Sequence, residues 1–155
     1  MFPFKYRRNP TSPEQSEAGT AAIEFGLAAP LLMLLVVGTV EIGSSVYQGM
    51  QAQNAAEAGA LYASKHGFDA AGISGAVVNA VAGAGLSATP APSQFCGCPT
   101  ASGVATIDCT STCTDGSAPG QYVRINAQIT HDPMLSFSGL NAPVTITGQA
   151  IIRIY

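Results

Sequence analysis

The sequence predicts an α+β protein: a long N-terminal transmembrane helix, then a small head holding a second helix, a disulfide-bridged loop and a short antiparallel sheet. Three observations carry this. An uncharged apolar run follows a basic N-terminal cluster, four cysteines crowd into a polar stretch, and two later runs alternate apolar and polar residues. The totals agree. Of 155 residues only 10% are charged, against roughly 25% in an ordinary soluble domain. The length suffices for one domain plus an anchor. A net charge of −3 argues against a nucleic-acid partner, because no basic patch exists to displace counterions from phosphate.

Charge is unevenly distributed. Residues 1–19 set Lys5, Arg7 and Arg8 against Glu14 and Glu17, a net of +1. Residues 20–155 set Lys65, Arg124 and Arg153 against Glu24, Glu41, Glu57, Asp69, Asp108, Asp115 and Asp132, a net of −4. Basic residues on the N-terminal side of an apolar run place that end in the cytoplasm and the bulk of the chain outside. The chain is expected to cross its membrane once, with the C-terminal part on the far side.

From Phe25 to Val40 no residue is charged. With the four residues from Thr20 to Ile23 the segment spans about 21 positions, roughly the ~30 Å of a bilayer core. It contains one costly residue, Glu24. A cleaved signal peptide would need small residues at −3 and −1 just after the apolar run, and Glu41-Ile42-Gly43-Ser44-Ser45 is a poor site of that kind. An uncleaved signal anchor is the stronger alternative, but it leaves Glu24 unexplained. Pro30 deletes one helical hydrogen bond and crowds the carbonyl of Gly26, which predicts a kink there; simple tolerance of the proline is the competing reading.

Helical signals continue past Glu41. Ile42, Val46, Met50, Gln53, Glu57, Ala60, Leu61 and Ser64 recur near the helical period, and residues 51–63 are rich in good helix formers. The expected helix runs from about Thr20 to Ser64, as a transmembrane part (20–41) and an extracytoplasmic continuation (42–66). Lys65 and His66 suit the negative end of its dipole, and Gly67 suits a C′ cap. Its alanines and glycines suggest close packing, on its own head or on other subunits, or else an ordinary alanine-rich amphipathic helix. The head is expected over residues 67–155. Asp69 reads as the N-cap of a second helix to about Ala84, with Ala71, Ile73, Val77, Val78 and Val81 covering the head.

Residues 86–120 are rich in Ser, Thr, Pro and Gly and hold Cys96, Cys98, Cys109 and Cys113. Structural zinc sites prefer two to four residues between paired ligands, so the first pair is badly spaced for a metal. An exported position and an even count favour two disulfides, each adding ~2–4 kcal/mol. Four cysteines allow three connectivities; a nested hairpin, Cys96–Cys113 with Cys98–Cys109, is preferred.

Two period-2 runs read as strands with one buried face. In residues 121–130, Val123, Ile125, Ala127 and Ile129 alternate with Tyr122, Arg124, Asn126 and Gln128. In residues 144–155, Val144, Ile146, Ala150, Ile152 and Ile154 alternate with Thr145, Thr147, Gln149 and Arg153. The connection between them holds Met134, Leu135, Phe137 and Leu140, which either pack under the sheet or offer an apolar patch. No catalytic motif appears: His66 reads as a helix-end residue, His131 as a loop start, and Asp108 and Asp115 as solvated turn residues. Neither an enzyme, nor a cofactor, nor a metal site is expected.

The stretch Gly19-Thr20-Ala21-Ala22-Ile23-Glu24-Phe25 resembles the processing site of type IV pilin-like proteins: a glycine, a glutamate at the fifth position after it, then an aromatic. The longer string GTAAIEFGLAAPLLMLLVVGTVEIG is similar to the start of TadE-like proteins, pseudopilins of the tight-adherence (Flp-type) pilus system. The resemblance implies that residues 1–19 are a cytoplasmic leader, cut between Gly19 and Thr20 by a prepilin peptidase. Gly19 suits an enzyme that grips extended backbone. It implies that Glu24 and Phe25 serve assembly, Glu24 pairing with the new Thr20 amine of its own or a neighbouring subunit. The cysteine region and the closing pair of strands look TadE-like too. The resemblance implies a minor pilin or pseudopilin that assembles or initiates an adhesive pilus, supporting adhesion and biofilm formation. Its implied partners are the inner membrane, the peptidase, a sibling pseudopilin, the assembly platform and further copies. The alternative is a signal-anchored, disulfide-stabilised binding domain that enters no pilus. A type II secretion pseudopilin is a nearer rival, but it would carry a different leader context and a calcium site.

Overall fold

In the computed structural model the described residues are 14–82, 85–134 and 143–154, with side chains from residue 19 onward. Lys5, Arg7 and Arg8, the connection residues Leu135, Phe137 and Leu140, and Tyr155 lie outside them, as does Ala84. The described elements are α1 (Glu14–His66), α2 (Ala70–Asn79), β1 (Ser93–Thr100), β2 (Gly103–Thr106), β3 (Gly120–His131) and β4 (Val144–Ile154). This is the expected α+β class: a long apolar helix, a short second helix, an antiparallel sheet and two disulfides. The chain divides into two compact units, Met1–Val40 and Glu41–Tyr155.

In the first unit α1 is bare. Phe25, Leu27, Met33 and Leu35 are exposed, as are Ile23, Leu31, Leu34, Val36 and Val40. A helix apolar on every side belongs in a core or in lipid, and this segment is long and apolar enough to cross a membrane. The helix begins at Glu14 rather than near Thr20 and continues through Pro30.

In the second unit the outer part of α1 is core. Ala52, Ala55, Ala56 and Ala63 are fully buried, together with Ile73 and Val77 of α2 and Val123, Ile125 and Ala127 of β3. The small-residue face therefore packs on the chain's own sheet. Its glycines set the distance. A Cβ at Gly59 would meet Val77 and Ile125, and one at Gly148 of β4 would fall on the backbone of Ala52 and Gln53. The stripe Ile42, Val46, Met50 and Leu61 is exposed, so the helical period there marks the face turned away from the sheet.

The helix ends as its residues imply. Gly67 adopts φ 75° and donates its N–H to Ala63 O at 2.9 Å, and Asp69 caps α2 by accepting from Ala71 N at 3.2 Å. α2 stops at Asn79, short of the expected Ala84. There Ala80 N bonds Val77 O at 3.3 Å, and the Asn79 amide takes the Gly75 carbonyl at 2.8 Å. These local bonds tighten and close the last turn. Ile73 and Val77 are buried as expected, but Ala71 and Val78 are exposed.

Among the described residues the sheet has four strands in the order β2-β1-β3-β4, all neighbours antiparallel. The polar cysteine region, expected as a loop, supplies two of them. A two-residue turn at Ala101-Ser102 joins β1 to β2, closed by Thr100 Oγ1 donating to Gly103 O at 3.0 Å. β3 and β4 are the two alternating runs, with Gln121 opposite Ile154 and His131 opposite Val144. His131 thus ends a strand, where a loop start was expected.

Candidate functional site

The predicted processing and assembly residues occupy one short stretch of α1. Gly19, Thr20, Glu24, Phe25 and Pro30 are all exposed, Phe25 at 71%. Space around Gly19 is open, with nothing within 4 Å of where a Cβ would be. Thr20 and Glu24 are four residues apart in the helix, so they share a face. In the uncut chain Thr20 N is a peptide nitrogen; the positive amine that would partner Glu24 exists only after cleavage.

The structure also assembles a polar cluster that the sequence did not reveal. At the start of the second unit, Glu41, Gln48 and His131 converge. His131 is buried and its Nε2 lies 2.6 Å from Glu41 Oε1, while Nδ1 lies 2.8 Å from Gln48 Oε1. The other Glu41 oxygen accepts Met134 N at 3.1 Å. Both ring nitrogens thus face oxygens. The imidazolium form donates to both; the neutral ring donates to one only, and the second contact is then a hydrogen bond only if the Gln48 amide is turned so that its NH2 donates to Nδ1. The cluster links residues 90 apart, and it closes the end of the sheet against α1. Its geometry is that of a clasp between α1 and the end of β3.

At the opposite end, the cysteines pair as Cys96–Cys109 and Cys98–Cys113, with Cα separations of 5.1 and 5.7 Å. This interleaved arrangement corrects the nested one. The cause is register. β2 returns along β1 with Thr106 opposite Gly97, and Ile107 N continues the ladder to Cys96 O at 3.0 Å. Residues 107–109 therefore run past Cys96, which takes Cys109. The chain then turns, with Ser111 N on Asp108 O and Gly116 N on Cys113 O, and Cys113 comes to Cys98. All four sulfurs are consumed, leaving no thiolate for zinc. Among the described residues no group of three or more His, Cys, Asp or Glu side chains is placed to hold a metal ion.

Asp115 shapes that turn by accepting from both the hydroxyl and the N–H of Ser117, at 2.7 and 3.0 Å. These two bonds hold its carboxyl below the usual carboxylate range. Asp108 is exposed, as a turn residue should be. The outward face of the sheet stacks Phe95 on Tyr122 with 5.8 Å between centroids and sets Arg124 over Phe95 at 4.8 Å.

Residues 19–61 match the family model described as TadE-like protein. No curated protein and no solved structure matches the chain.

Proposed function

We propose that this chain, TadE-like over residues 19–61, is a minor pilin or pseudopilin acting in the assembly or initiation of a tight-adherence pilus. The TadE-like match supports a pilus-associated protein of the tight-adherence system, and the apolar helix fits a membrane anchor. The observation that carries the finer reading is where the match begins. It starts at Gly19, the glycine of the processing signature, and covers Glu24, Phe25 and the whole apolar run.

On this reading the leader 1–19 is cytoplasmic and a prepilin peptidase cuts between Gly19 and Thr20. α1 crosses the inner membrane once over residues 20–41, with Pro30 bending it near Gly26. Glu24 is then too costly to leave alone in lipid, and the freed Thr20 amine of its own or a neighbouring subunit neutralises it. The pair fixes axial register between helices, a role for assembly and not for catalysis. Residues 42–155 lie on the outer side of the membrane, where two disulfides are stable, and their surface selects a sibling pseudopilin and the assembly platform. Adhesion and biofilm formation follow from the pilus.

The test is in two parts. Intact mass and N-terminal sequencing of the protein from cells with and without the peptidase should give a chain starting at Thr20 only with the enzyme. Glu24→Ala should leave the protein processed and membrane-bound but abolish its co-purification with its assembly partners. An uncut leader in the presence of the peptidase, or unchanged co-purification, overturns the reading.

A further inference from the structure

We infer that the base of the second unit is a lipid-binding surface, seated in the interfacial layer of the bilayer. The inference rests on the reading that α1 crosses a membrane. Past Glu41, α1 has two unlike faces. Ser45, Gln48 and Gly49 are half-buried beside the sheet, whereas Ile42, Val46, Tyr47 and Met50 are between 58% and 69% exposed. Past the apolar run, exposed apolar side chains therefore go on along one face of the helix for more than two further turns. Tyr47 sits among these residues, and the interfacial layer is where tyrosine is enriched.

The sheet adds to the same end. Val144, opposite His131 in the β3–β4 register, is 57% exposed, and Met134, whose N–H is held by Glu41, is 69% exposed. Both positions adjoin the Glu41–His131 contact, Met134 through its own N–H and Val144 through its place opposite His131. Exposed apolar groups at such a level are hard to explain in water and natural at a headgroup–acyl boundary.

The charge balance points the same way. Glu41 is the first acid after the run, and both its oxygens are occupied, one by His131 and one by the Met134 N–H. A carboxylate with its hydrogen bonds filled inside the fold enters a low-dielectric layer at smaller cost than a bare one. Asp132 is exposed in the same turn and sets the limit: headgroups accept it, acyl chains do not. The base thus lies within the headgroup layer, where the exposed Ile42, Val46, Met134 and Val144 can meet its apolar side. The partner is the lipid surface itself, because the patch continues the membrane-crossing run.

The chain has no free cysteine, so single cysteines can carry an environment-sensitive fluorophore. Val46→Cys, Met134→Cys and Val144→Cys would be labelled in the full chain and reconstituted into phosphatidylcholine–phosphatidylglycerol vesicles containing shallow doxyl lipid. Ala101→Cys, in the β1–β2 turn, serves as an aqueous control, and Leu32→Cys as a control in the span. Labels at 46, 134 and 144 should be blue-shifted and quenched several-fold more than the label at 101. Quenching at 32 with none at 134 and 144 would overturn the inference while leaving the anchor standing; no quenching at 32 would remove the anchor as well. Blue-shifted but unquenched labels at 134 and 144 would mean that protein covers the patch, and would overturn the inference too.

Discussion

Gln53 of α1 finishes the open edge of β4 at Gln149. Its Oε1 accepts Gln149 N and its Nε2 donates to Gln149 O, each at 3.3 Å. A side-chain amide here does what a neighbouring strand's backbone would do. Edge strands with free N–H and C=O groups invite pairing with other chains, and this contact occupies one such pair. Gln53→Ala should cost about 1 kcal/mol, the usual net worth of a neutral hydrogen bond. Hydrogen exchange should show the Gln149 amide opening faster while Ile125 on β3, paired with Ala150, stays protected.

Gly148 should tolerate no side chain. A Cβ there would lie on the carbonyl and carbon of Ala52, and helix backbone cannot yield as a flexible side chain can. Gly148→Ala is expected to lose about 1–3 kcal/mol by overpacking. Gly75→Ala is the control, since nothing lies within 4 Å of that position in α2. Removing a helix-interior glycine should be neutral or add about 0.5–1 kcal/mol. Thermal unfolding of the two variants reads both signs.

The disulfide pairing can be checked by counting thiols. Cys96→Ser with Cys109→Ser should leave no free thiol, because the second bridge stays intact. Cys96→Ser with Cys113→Ser should leave two. Loss of one bridge, closing a span of 13 or 15 residues, should cost about 3 kcal/mol on the chain-entropy estimate. The opposite thiol counts would restore the nested arrangement.

The clasp at the base predicts coupling. His131→Ala and Glu41→Ala each leave the other residue without its main partner. The double variant should therefore lose clearly less stability than the sum of the two singles, a positive interaction in a double-mutant cycle. Additive losses would mean that the 2.6 Å contact contributes nothing in solution.

Tyr62 predicts an alkaline dependence. Its hydroxyl donates to Asp69 Oδ2 at 3.2 Å, and this bond, with partial burial and the nearby negative charge, raises its pKa above the usual 10.0. The neutral phenol is the form the fold prefers. The bond's stabilisation is thus complete below pH 10 and fades as pH climbs through the raised value. Tyr62→Phe should be slightly less stable at neutral pH and show a flatter decline in denaturant midpoint above pH 10.

The elements were legible in the sequence where a single period governs them. The alternation of Val123, Ile125, Ala127 and Ile129 gave the buried face of β3, and Gly67 and Asp69 marked the break between the helices. What escaped depends on register between distant residues. Phe95, Cys96, Gly97 and Cys98 lack an apolar alternation, so β1 reads as loop until β3 is laid beside it. The interleaved disulfides follow from one ladder position, Thr106 opposite Gly97, which composition cannot supply. The clasp escaped for the same reason: Glu41 and His131 are unremarkable in their own neighbourhoods and meet only because β3 ends where α1 leaves its apolar run. The alanine-rich stretch was visible as a surface for close packing, but its partner became clear only with Gly148 seated on Ala52.

That contact also has a consequence in time. Ala52 and Gly148 lie near opposite ends of the second unit's sequence, and contacts of such long separation form slowly, because the intervening chain must first be ordered. Until β4 arrives, the part of the alanine face around Ala52 is uncovered. A nascent chain would then carry an open patch of small side chains there. Whatever meets that patch in the interval competes with the protein's own last strand.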